Sequence, residues 1–119
     1  MAKYTPGPWR ISDTLSLDGC ALILSDFSEY GTIQLARIPD YSNDSTEQEN
    51  ARLIAASPIL LGELTELVWK SETSLRYLQS VCDGMKDEKV KGYLQGFIEE
   101  LARRVISARA TIDKAEGRQ

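Results

Sequence analysis

Histidine is absent from the 119 residues. That absence excludes Ser–His and Cys–His catalysis, imidazole-ligated metal and a histidine pH switch. Cysteine is scarce: Cys20 and Cys82 stand far apart, each among apolar neighbours. Two buried free thiols in a reducing cytosol is the favoured reading, and a single Cys20–Cys82 disulfide is the alternative. No apolar run approaches the roughly 18 residues of a membrane span, and no cationic segment followed by an apolar core opens the chain. A soluble, unexported protein is expected. Positive charge is not in surplus either. The formal net charge of −4 argues against a general nucleic-acid binder and suits a basic protein partner. Gly31, Gly62, Gly92 and Gly96 are isolated, so there is no phosphate-cradling loop.

What is present is enough for one domain over 1–119, with a β-rich part at 1–44 and a helical hairpin at 45–116. Hydrophobic residues make up 42% of the chain, an ordinary globular fraction. In Thr5-Pro-Gly-Pro-Trp9 two prolines stiffen a bend that delivers Trp9 to a fixed place, as a plug at the edge of a core. Alternation at 9–12, a continuous apolar run at 20–25 and alternation at 32–38 predict three strands in an antiparallel meander. In the third strand, Ile33, Leu35 and Arg37 share one face, and Thr32, Gln34, Ala36 and Ile38 the other; the first set is the more apolar at its centre. Residues 27–31 read as a turn.

A polar loop at 39–45 leads into helix. Ser45 with Gln48, or Asp44 with Glu47 one register earlier, can form a capping box. Asn50, Leu53, Ile54 and Ser57 then fall at helical spacing. At Ser57-Pro58, Ser57 caps a new helix or Pro58 bends one long one. Leu60, Leu61, Leu64, Leu67, Val68, Leu75, Leu78 and Cys82 make a broad apolar face, which Gly84 ends as a left-handed stop. Asp87 caps the last helix. Its stripe is Val90, Leu94, Phe97, Leu101, Val105, Ala108 and Ile112, widened by Tyr93, Ile98 and Ile106. Gly92 and Gly96 suit tight helix packing within the fold, or else a seam between copies. The fold class is thus α+β: a small antiparallel sheet of about three strands, a bent helix and a long antiparallel C-terminal helix. Both apolar faces are wider than one partner helix and a small sheet can cover, which predicts a homo-oligomer built through the helices.

Two motifs carry a resemblance. Thr5-Pro-Gly-Pro-Trp9 and Asn50-Ala-Arg-Leu-Ile-Ala-Ala-Ser-Pro-Ile-Leu-Leu61 resemble a widespread group of small proteins from tailed phages and prophages. Those have a TPGPW-like start, a variable β-rich segment, a NARLIAAAPELL-like helix and a C-terminal helix. Ser57 stands here for the usual alanine and Ile59 for the usual glutamate. The resemblance implies a phage accessory protein acting in the bacterial cytoplasm, a setting in which inhibitors of host defence and adaptors are common. It transfers no catalytic residue.

No convergent acid–base or nucleophilic pair is legible, so no enzyme, cofactor or metal is expected. Three functions remain. The first is a binder that inhibits or redirects a host protein through Asp40, Tyr41, Asp44, Glu47 and Glu49. The second is an oligomer that sequesters an anionic nucleotide with Arg103, Arg104 and Arg109, with Trp69 and Tyr77 stacking on a base. The third is a structural oligomer without a specific ligand.

Overall fold

The structure, a computed structural model, describes residues 4–39, 41 and 43–118. The alternating segments form strands β1 (Trp9–Ile11), β2 (Ala21–Ser28) and β3 (Gly31–Ile38), joined antiparallel in that order. Two helices follow, α1 (Ser45–Asp83) and α2 (Glu88–Ala115). The fold is α+β. Contacts divide the chain into two compact units, Met1–Leu61 and Gly62–Gln119. The boundary falls inside α1, whose first turns pack on the sheet.

In the first unit, Ala21, Ile23, Ile38 and Ala51 form the buried core, with Trp9, Ile11, Tyr41, Ile54 and Ala55 packed on it. Ala51 is fully buried and Leu53 is exposed. A methyl side chain at 51 lets the helix backbone come close to the sheet, with Ile54 and Ala55 packed beside it. The β2–β3 register places Ile23 opposite Ala36 but Leu24 opposite Gln34, so Leu35 bulges out of the ladder. Ile33 stands opposite the buried Ser25 and Leu35 packs on the core, as expected; past the bulge the faces switch, so Ala36 and Ile38 turn to the core side and Arg37 pairs with Leu22 on the other. Strict alternation had put Ile33, Leu35 and Arg37 together. The strand β2 also runs further than expected, to Ser28, leaving a two-residue turn closed by Gly31 at φ 84°.

The N-terminal bend is held by its own hydrogen bonds. Trp9 Nε1–H donates to the Thr5 carbonyl at 3.0 Å, and the buried Ser25 hydroxyl donates to the Pro6 carbonyl at 2.7 Å. A Cβ on Gly7 would lie 2.8 Å from Pro58 Cγ and 2.9 Å from Pro58 Cβ. The bend therefore rests against the proline of α1, and Trp9 is the plug its setting predicts.

Asp44, not Ser45, caps α1: its carboxylate accepts from the Thr46 amide at 2.9 Å, and its carbonyl accepts from the Gln48 amide at 3.1 Å. The helix then continues through Pro58. Ser57 caps no second helix; its hydroxyl donates back to the Leu53 carbonyl at 3.0 Å.

In the second unit α1 and α2 are antiparallel neighbours. Val68 and Cys82 of α1 are buried, as are Ile98, Val105 and Ile112, which recur every seven residues on α2. Gln79 and Gln95 exchange amide hydrogen bonds of 2.8 and 3.3 Å between the helices. Asp87 caps α2 by accepting from the Lys89 and Val90 amides at 3.0 and 3.3 Å. Gly84 stops α1 without the left-handed conformation; its amide donates to the Ser80 and Val81 carbonyls. Gly92 and Gly96 do not mediate packing within the fold, since nothing lies within 4 Å of a Cβ built on either.

Candidate functional site

The acidic set divides between structure and solvent. Asp40 lies outside the described residues. Tyr41 packs on the core, and its carbonyl accepts from Gln48 Nε2 at 2.9 Å. Asp44 is spent on the helix cap. Glu47 accepts from Asn50 Nδ2 at 3.5 Å, and Glu49 is exposed. Tyr41 and Asp44 therefore have architectural tasks independent of any partner.

The basic and aromatic set is dispersed. Arg103 and Arg104 both pair with Glu100, and the Arg103 hydrogen bond holds that carboxyl below its ordinary pKa. Arg109 pairs across the hairpin with Glu72. Trp69 and Tyr77 are exposed on α1, eight residues apart in sequence and so about 80° apart around the helix. Arg103 and Arg104 differ by about 100°, so the three arginines and two aromatics do not enclose one ligand within a single chain.

The sheet face away from the core is a polar lattice. Arg10 grips Asp26 with two bonds, from Nε at 2.8 Å and from Nη2 at 3.3 Å, and the Thr32 hydroxyl donates to the same carboxylate at 2.6 Å. These bonds, Arg10's first, hold Asp26 below the usual carboxylate range. Ser16 and Arg37 both donate to Asp18, whose pKa falls to about 2. At one end of this lattice the β2–β3 turn presents Phe27, 58% exposed, and Tyr30, 83% exposed. The turn is fixed by Ser28, whose hydroxyl donates to the Gly31 carbonyl at 2.5 Å and accepts from the Tyr30 amide at 3.2 Å. Sequence reasoning passed over these two aromatics by reading 27–31 as connection only. Two large aromatics inside a Ser/Gly turn were the available signal.

The second unit carries a shallow groove of about 160 Å³, lined by Leu64, Leu67, Val68, Ser71, Leu101, Arg104, Val105 and Ala108. Among the described residues no three metal-ligating side chains converge, and no helix is long and apolar enough to cross a membrane. Cys20 and Cys82 are both free and buried.

A three-stranded sheet covered by the start of one helix, followed by a helical hairpin, defines a small α+β protein. The chain belongs to the family of Salmonella phage P22 protein Y8K6, whose model matches residues 1–119. The resemblance carried by residues 5–9 and 50–61 is thus a membership in a phage protein family. Neither a curated protein nor a solved structure matches the chain significantly.

Proposed function

We propose that this phage protein is a non-enzymatic accessory factor that binds a host protein in the bacterial cytoplasm and inhibits or redirects it. The observation that supports this reading is the β2–β3 turn, where Phe27 and Tyr30 stand out on a hydrogen-bonded hairpin. Large aromatics on a rigid loop lose little side-chain entropy on binding and are frequent interface anchors. Glu29 lies between them in sequence, and the chain's net charge is −4. A partner with an apolar pocket rimmed by basic residues fits both features.

The test places a photo-crosslinking amino acid at position 30 during infection, identifies the linked protein, and measures its affinity by calorimetry. Phe27→Ser with Tyr30→Ser should weaken binding on the order of thirtyfold or more. Arg103→Glu with Arg104→Glu should leave it unchanged. Equal affinity of the tip variant and the wild type sinks the assignment. A small anionic mass released on denaturation, with binding lost in the arginine variant, would replace it with nucleotide sequestration.

A further inference from the structure

Within the first unit, α1 has a weak turn. Pro58 has no amide to offer the Ile54 carbonyl, so one bond of the helical ladder is missing. Ser57, just before it, donates its hydroxyl back to the Leu53 carbonyl at 3.0 Å, which loosens the same turn. The turns ahead of this break make a helix too short to persist by itself. The N-terminal bend lies against the break. Gly7 stands so near the Pro58 ring that a Cβ on it would meet Cγ at 2.8 Å. Thr5, Gly7 and Trp9 are half-buried, while Pro6 and Pro8 between them are exposed, so the bend has an inner face. That face is tied down at both ends. The Ser25 hydroxyl of β2 holds the Pro6 carbonyl at 2.7 Å, and Trp9 packs on the same buried cluster as Ile54 and Ala55. The bond from Trp9 Nε1 to the Thr5 carbonyl closes the bend on itself. Two prolines fix φ along it, so little chain entropy is lost when it docks.

We infer that the bend is a latch: it clamps the proline-weakened start of α1 onto the sheet, so that residues 5–9 and the turns of α1 at 51–58 open and close together, while β2 and β3 stay paired. The anchor of the latch is Ser25 on the central strand, which makes the sheet the fixed body. The moving part is the bend with the helix start, since both depend on one contact, Gly7 on Pro58. Local opening of this kind falls where the hydrogen-bond ladder is interrupted and few large side chains are buried. Both conditions hold here: Ala51 is the fully buried residue of these turns, and its methyl group contributes little area. Opening uncovers the side of the sheet formed by Ala21, Ile23 and Ile38. The stretches Thr5–Trp9 and Asn50–Leu61, separate in the sequence, are thus two halves of one device. The inference does not rest on the Phe27–Tyr30 tip, which belongs to the part that stays folded.

Hydrogen exchange of the full chain, followed residue by residue by NMR, tests the inference. In the wild type the Trp9 indole N–H and the amides at 51–57 should share one protection factor, lower than that of the Ile23 and Leu24 amides in the central strand. In Gly7→Ala, exchange of the indole and of 51–57 should accelerate together, by about tenfold. If that variant does not fold, Ser25→Ala carries the test, because it releases the Pro6 carbonyl and should give the same joint acceleration. Three results overturn the inference: protection at 51–57 equal to that of β2 in the wild type, a faster indole with 51–57 unchanged, or no acceleration in either variant.

Discussion

At the scale of single residues, the first unit depends on a few close approaches. Gly7 is one, because a methyl group there would enter the Pro58 ring at 2.8 Å and 2.9 Å, well inside normal contact. A proline ring has no alternative rotamer to swing away, so backbone must shift. Gly7→Ala should destabilise by about 1–3 kcal/mol, read as a lower urea midpoint with unchanged slope. An unaltered midpoint would show that the bend does not rest on α1. Asp18 supplies a second residue-level expectation. Hydrogen bonds from Ser16 and then Arg37 lower its pKa from 3.8 to about 2. Between those values the unfolded chain binds more protons than the folded one, so folding is progressively disfavoured as pH falls. The contribution is complete above about pH 4 and disappears toward pH 2. The group is exposed, so the effect is small and weakened by salt. In low salt the wild type should lose more thermal stability between pH 4.5 and pH 2.5 than Asp18→Asn does. Parallel losses in the two proteins would contradict the assigned hydrogen bonds.

At the scale of elements, the two glycines of α2 discriminate between packing and propensity. Gly92 meets nothing within 4 Å, so Gly92→Ala should stabilise by about 1 kcal/mol through helix propensity alone. Asp87→Ala should do the reverse by about 1 kcal/mol, since two amide donors lose their acceptor. Thermal melts of both variants check the pair of signs, and a destabilised Gly92→Ala would mean another backbone lies against that face. This contrast also marks how far the sequence alone could be read. Strand and helix order follow from periodicity, and Asp87 as a cap follows from residue type. The Leu35 bulge does not, because alternation assumes an unbroken ladder and a one-residue slip reverses every later side chain. Nor does Ala51 as the core contact, since alanine scores weakly on any apolar pattern while allowing the closest approach. The width of the helical stripes was legible, but which edge faced the neighbouring helix was not. Ile98 proved central and Phe97 peripheral, a rotation of about 100° that only the interhelical contacts define. For the candidate surfaces, residue type located the acidic and basic groups. It also offered Asp44 as a cap, but it did not reveal that Arg109 already had a partner, Glu72, on the other helix.

At the scale of the whole molecule, the two units bury their apolar residues to different degrees. The sheet unit closes its own core around Ile23, Ile38 and Ala51, each nearly or fully buried. Among the described residues of the hairpin, Val68, Cys82, Ile98, Val105 and Ile112 are the buried apolar ones, while large side chains such as Leu67 and Phe97 are exposed. A second copy that bound only the folded hairpin would draw the equilibrium toward the folded state by mass action. A hundredfold excess over the dissociation constant corresponds to about 2.7 kcal/mol. The midpoint for loss of helical circular dichroism at 222 nm, followed against total protein concentration, reads whether such a copy binds. Fluorescence quenching at Trp9, which sits in the sheet unit, gives a local comparison in a Trp69→Phe background. Its midpoint should follow concentration only if unfolding of the two units is coupled through α1, which both units share. A concentration-independent helical midpoint in the wild type would mean that the hairpin tolerates its exposed leucines and aromatics without a partner copy.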